Sequence, residues 1–251
     1  MRLVAIGDST VEGLEDPRPD GSYRGWADRL AEHLAQRHPD LTYANLAVRG
    51  KLAREVRAQQ LPVAVGLAPD VAVVAAGVND LLRPRLDGAA LRDDLHAMHA
   101  ALRDTGAQVV SFTMPDMARV APLAVALRGR IQLLNAIVRD AGERFGSTVV
   151  ELDRHPVASH PALWHDDRLH GNAEGHRRIG LALAEALGCE VEDWRAELPD
   201  HPVRALPRLL RDEAAWAATH LLPWAWRHLR GRSSGDEHEC KRPTLQPLVL
   251  D

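Results

Sequence analysis

Short apolar runs alternate along the chain with longer stretches whose apolar residues recur three and four apart, the signatures of buried strands and amphipathic helices. The first run covers residues 3–6 and stops at Gly7-Asp8, with Ser9 directly behind it. A second, residues 41–46, leads into Gly50. A third, residues 71–76, is the most continuous and ends at Gly77-Val78-Asn79-Asp80. Residues 108–113 and 148–152 give a fourth and a fifth predicted strand. The helices fall between them. Trp26, Leu30 and Leu34 share one face over residues 26–37, closed by Pro39. Residues 51–60 read as helical, and Leu91, Leu95, Met98 and Leu102 line a helix over 91–104. A long helix is predicted over 123–145 and a last one over 174–187.

Strands alternating with helices predict a parallel sheet, because each crossover lays its helix on a face of the sheet. The expected fold class is α/β, a three-layer α/β/α sandwich around a five-stranded parallel sheet. Loops that follow parallel strands gather on one sheet edge, where open α/β folds place their ligands. Ser9 follows the first strand, Gly50 the second, Asn79 the third, and Asp167-Arg168-Leu169-His170 the fifth. Residues far apart in sequence therefore converge on one edge.

Their chemistry fits acyl transfer. A serine hydroxyl is a weak nucleophile until a histidine takes its proton and a carboxylate holds that histidine in the right tautomer. Asp167 and His170, three apart in one loop, can set a carboxylate against Nδ1 while Nε2 faces Ser9. Asp166 is the alternative carboxylate, and the spacing favours Asp167. The backbone N–H groups of Ser9 and Gly50 and the Asn79 amide could receive the oxyanion of a tetrahedral intermediate. Each piece also has a plainer reading: Gly-Asp-Ser and Asn79-Asp80 as turns, Gly50 as a helix boundary.

With these blocks assembled, the chain resembles the SGNH hydrolases, also called the GDSL esterase/lipase family. The family takes its name from a nucleophilic Ser, an oxyanion-hole Gly and Asn, and a catalytic His. The matching blocks are Gly7-Asp8-Ser9-Thr10, Asn45 to Gly50, Gly77-Val78-Asn79-Asp80 and Asp167-Arg168-Leu169-His170. Thr10 stands where the family name has leucine. The resemblance spans residues 1 to about 188 and implies a flavodoxin-like SGNH hydrolase fold. It also implies Ser9 as nucleophile, Asp167 and His170 as its partners, and Ser9, Gly50 and Asn79 as the oxyanion hole. Asn172 is expected to cap the last helix, with His176 at the surface or in a cap.

The expected activity is hydrolysis of small or medium acyl esters through an acyl-enzyme, without a cofactor. The alternatives are an acyltransferase or thioesterase using the same acyl-enzyme, or a non-catalytic binding protein on the same scaffold. A formal net charge of −4 and a pI near 6.3 give no argument for nucleic acid as a partner. Cys189 and Cys240 are too few for a disulfide framework. No run approaches the roughly 18 apolar residues of a membrane span, and the N-terminus lacks the pattern of a signal peptide. A cytoplasmic location is expected.

His155, His160, His165 and His170 recur every five residues, which matches neither the helix nor the strand period, so no metal site is expected. Arg18, Arg24 and Arg83 flank the site and could attract an anionic substrate. Residues 1–190 are expected to form the catalytic domain, and 191–251 a helical extension with a polar tail. The extension carries a helical stripe over 207–222 and a Trp- and Arg-containing stretch over 223–230. It is expected to pack on the catalytic domain or a second subunit; membrane contact is the less favoured alternative, and a place near the active-site edge, where it would shape acyl specificity, is a third.

Overall fold

A computed structural model describes residues 1–199, 216, 218–219, 235 and 238–248. The predicted helix over 207–222 lies outside the described residues except at 216, 218 and 219, and the stretch 223–230 lies outside them entirely.

The strands are β1 (Arg2–Gly7), β2 (Thr42–Asn45), β3 (Val71–Ala75), β4 (Gln108–Phe112), β5 (Thr148–Val150) and β6 (Arg242–Pro247). They form one sheet in the order β5-β4-β3-β1-β2-β6. The first five run parallel, as expected. The sheet has six strands rather than five, because β6 pairs antiparallel with β2. Its sequence, Arg-Pro-Thr-Leu-Gln-Pro, is polar and carries prolines, which an edge strand tolerates on its unpaired side. Nothing in that composition distinguishes it from a polar tail.

The helices are α1 (Ser9–Glu12), α2 (Gly25–Arg37), α3 (Ala53–Glu55), α4 (Leu61–Gly66), α5 (Val78–Leu81), α6 (Gly88–Asp104), α7 (Arg128–Phe145) and α8 (Ala173–Ala186). Successive residues of β1 point to opposite faces. Leu3 and Ala5 meet Trp26, Leu30 and Leu181 on one side, while Val4 and Ile6 meet Leu95, Met98 and Ile137 on the other. Both faces are buried, and the strand accordingly reads as an unbroken apolar run. No helix among the described residues is long and apolar enough to cross a membrane.

Two helices depart from expectation. The helix predicted over 51–60 is α3, a π turn at Val56–Gln60, and α4 beyond it. Pro62 has no N–H to give the helical ladder, so the regular i→i−4 pattern is interrupted there. The long helix predicted from 123 begins as a 3-10 segment, Pro122–Leu127, and becomes α-helical only at Arg128.

The chain leaves β1 for β2 on one side and then for β3 on the other. That reversal opens a crevice at the carboxyl end of β1, where doubly wound sheets bind their ligands. Ser9 sits in it.

Candidate active site

Ser9 is the first residue of α1, and Asp8 caps that helix by accepting a hydrogen bond from the Thr10 amide at 3.1 Å. The strand must end within two residues and turn, which requires Gly7. A Cβ there would lie 2.1 Å from the Ala75 carbonyl oxygen and 2.4 Å from Val11 Cγ2. Gln60 reaches in from the π turn, accepting from Gly7 N at 2.8 Å and donating to Gly7 O at 2.9 Å. The backbone before Ser9 is thereby held on both of its polar groups.

The fifth-strand loop brings two partners. His170 Nε2 lies 2.8 Å from Ser9 Oγ, and His170 Nδ1 lies 2.6 Å from Asp167 Oδ2. The carboxylate that meets His170 is thus Asp167's, not Asp166's. Asp167 Oδ1 accepts from the Leu169 and His170 amides at 2.9 and 3.0 Å. Asn172 closes the loop by capping α8, accepting from Glu174 N and Gly175 N.

Burial pushes the Asp167 carboxyl up, but the hydrogen bond and charge of His170 outweigh it and bring it down to about 2. His170 is the complement. Burial disfavours its imidazolium, yet the hydrogen bond and charge of Asp167 raise its pKa above the ordinary value.

Asn79 lies in α5, directly after the third strand's turn, and its Nδ2 donates to Asp8 Oδ2 at 3.2 Å and to the Lys51 carbonyl at 3.1 Å. Both acceptors fix the amide so that Nδ2, rather than the amide oxygen, faces Asp8 and Lys51. Gly50 is buried with φ +74, a conformation a side chain would strain. Its loop is tied to α1, since the Arg49 amide donates to Glu12 Oε2 at 2.8 Å and Arg49 Nε to Glu12 Oε1 at 3.0 Å. All four loops therefore meet, as the sequence predicts.

Asp8 was not among the expected site residues. It is 1% exposed, and burial raises its carboxyl from 3.8 to about 6. Its contact with Asn79 spans 71 residues, and no local pattern encodes it.

The histidine series scatters. His155 stacks edge-on against Trp194, and His160 accepts from the Ala162 amide. His165 meets Glu15 at 3.2 Å, and His170 meets Ser9. Among the described residues, Glu15, His165 and Asp167 form one set with donor atoms within 4.8 Å of one another. The Asp167 carboxylate in that set is already bound to His170.

His176 is not at the surface. It is 2% exposed, accepts from Trp26 N at 3.1 Å on Nδ1, and donates to the Leu14 carbonyl at 2.8 Å on Nε2. Burial lowers its pKa to about 4, so it stays neutral and staples α8 to α2. Arg18 and Arg24 pair with Asp28 and Glu32.

The family model for GDSL-like lipases and acylhydrolases matches residues 5–178. Several solved structures share the architecture. LAE5, an alpha/beta hydrolase enzyme from the metagenome of Lake Arreo in Spain, is 26% identical with a TM-score of 0.63, over 75% of this chain and 95% of its own. TesA is 21% identical with a TM-score of 0.62, over 74% of this chain and 98% of its own. A catalytic mutant of Axe2, an acetylxylan esterase from Geobacillus stearothermophilus, is 17% identical with a TM-score of 0.64, over 77% of this chain and 95% of its own. At such identities the last two speak to the fold alone. No curated protein sequence matches the chain.

Proposed function

The chain belongs to the GDSL-like lipase/acylhydrolase family, a carboxylic ester hydrolase by that membership, and from there we propose that Ser9, His170 and Asp167 hydrolyse small or medium acyl esters through an acyl-enzyme. The observation that carries this reading is the continuous hydrogen-bonded chain from Ser9 Oγ through His170 to Asp167. Ser9 Oγ attacks the ester carbonyl carbon while its proton passes to His170 Nε2. Asp167 keeps the Nδ1 proton in place and stabilises the imidazolium that forms.

The carbonyl oxygen becomes an oxyanion, received by the Ser9 and Gly50 amides and by Asn79 Nδ2. Asn79 holds its two N–H groups on Asp8 and Lys51, so it shares one of them with the oxyanion. The intermediate collapses, the C–O bond to the alcohol breaks, and His170 returns its proton to the leaving oxygen. Water then repeats the sequence: His170 takes its proton, its oxygen attacks the acyl carbon, and Ser9 leaves as the hydroxyl.

The test is p-nitrophenyl ester hydrolysis by the wild type beside Ser9→Ala, with fluorophosphonate labelling of both. Turnover should fall by roughly 10⁴ or more in the variant, and label should attach only to the wild type. Labelling without ester turnover would favour acyl transfer to another acceptor. Neither labelling nor turnover would remove the catalytic reading.

A further inference from the structure

One cavity of about 320 Å³ is lined by residues of α5 and of the loop that carries Asp167 and His170, at the low end of the size range of small-molecule sites. Val78 and Leu81 of α5 line it, together with Met117, Leu127, Leu169 and Trp216. Among the described residues, every lining residue except Arg168 is apolar. The chain between Met117 and Leu127, which contributes five of the lining residues, holds two short 3-10 segments. Two of the cavity's lining residues are chain neighbours of the site: Val78 immediately precedes Asn79, and Leu169 immediately precedes His170. Leu169, one of the lining residues, is 38% exposed.

Trp216 is the unusual wall. It comes from the C-terminal extension, well beyond the residues 5–178 that match the family. Its indole Nε1 donates to the Asp167 carbonyl at 3.0 Å, and the Arg168 guanidinium lies 5.2 Å from its ring centroid. Arg168 holds φ +58, an uncommon backbone for a non-glycine residue, between the two residues that face Ser9's proton path. The ring is therefore fixed to the triad loop at two points while its face borders the cavity.

We propose that this groove binds the straight apolar acyl chain of a medium-length ester, with Trp216 as a specificity-determining wall supplied by the extension. The proposal rests on the hydrolase reading of Ser9. The geometry favours the acyl chain over the alcohol. The oxyanion received by Asn79 is the acyl group's own oxygen, and a chain on the same carbon enters beside Val78, the neighbouring residue. The other apolar cavity against His170 is about 50 Å³, too small for a chain.

The test measures kcat/KM for p-nitrophenyl acetate, butyrate, hexanoate and octanoate, and for a matching series of alkyl acetates. The proteins are the wild type, Trp216→Ala and Ala124→Phe, all checked for folding by thermal melting and for fluorophosphonate labelling. Burying a methylene is worth about 0.8 kcal/mol, so kcat/KM should rise by up to about fourfold per CH₂ along the acyl series. Ala124→Phe, which fills the groove, should lower the octanoate-to-acetate ratio by at least roughly tenfold, and Trp216→Ala by about fivefold. A flat acyl series in a protein that labels would overturn the groove and leave the hydrolase reading standing. A rise in the alcohol series instead would overturn the acyl assignment. Failure of the folded wild type to label would take both readings down together.

Discussion

Asp8 carries the largest unrecognised charge burden at the site. Its folded-state pKa is raised from 3.8 to about 6, so below pH 4 both folded and unfolded chains hold the proton and no penalty arises. As pH rises through 6 the folded state must ionise a carboxyl with 1% exposure, and stability is lost relative to the unfolded chain. The difference of about 2 pH units corresponds to about 3 kcal/mol. The Asp8→Asn variant escapes this penalty. Between pH 4 and pH 7 its unfolding free energy should therefore gain on the wild type by up to about 3 kcal/mol in urea titrations. A difference that stays constant with pH would mean the carboxyl ionises as readily in the fold as outside it. The sequence marked Ser9, Asn79, Asp167 and His170 because each lies in a short block at a strand end. It was silent on Asp8, Gln60 and Trp216, whose roles exist only through contacts across 71, 53 and 49 residues.

At the scale of elements, the turn from β1 into α1 is set by how closely β3 approaches it. Gly7 pairs in register with Ala75, and a Cβ on Gly7 would stand 2.1 Å from that residue's carbonyl oxygen. The obstacle is backbone, which cannot swing aside as a side chain would. Gly7→Ala should therefore cost about 3 kcal/mol, the upper end for overpacking, measured by denaturant unfolding. It should also lower kcat, because relief of the clash moves Asp8 and Ser9. An unchanged midpoint would show that the two strands separate freely at this point. The same element scale explains where pattern reading stopped. Continuous apolar runs located β1 and β3, whose residues are buried on both faces and leave no polar alternation to misread, while β5 is only half-buried. Residues 51–60 and 123–127 read as helical, but the first stretch holds a π turn at Val56–Gln60 ahead of Pro62, and the second is the end of the 3-10 segment Pro122–Leu127. The first departure places Gln60 on Gly7, and the second stretch contributes Ala124, Ala126 and Leu127 to the lining of the groove.

The whole molecule is closed by a strand from its far end. β6 covers the β2 edge, and Lys241 just before it is anchored inside: Nζ lies 2.8 Å from Asp28 Oδ1 and donates to the Tyr23 and Arg24 carbonyls at 3.1 and 2.7 Å. Arg242 adds its guanidinium 5.5 Å from the Tyr43 ring. Without these residues the β2 edge would present unpaired backbone groups, the template on which sheets from two molecules join. Asp28 would keep Arg18 and the Tyr43 hydroxyl but lose its closest cation. A chain ending at His238 should therefore melt at least about 5 °C lower, the shift that about 2 kcal/mol gives in a protein of this size. It should also self-associate in a concentration-dependent way by light scattering. Ser9 should still label with fluorophosphonate below the new melting point, since β6 contacts neither Ser9, Asp167 nor His170. Unchanged melting and a strictly monodisperse chain would mean that β6 lies on the sheet without stabilising it, and that the β2 edge is protected by its own residues.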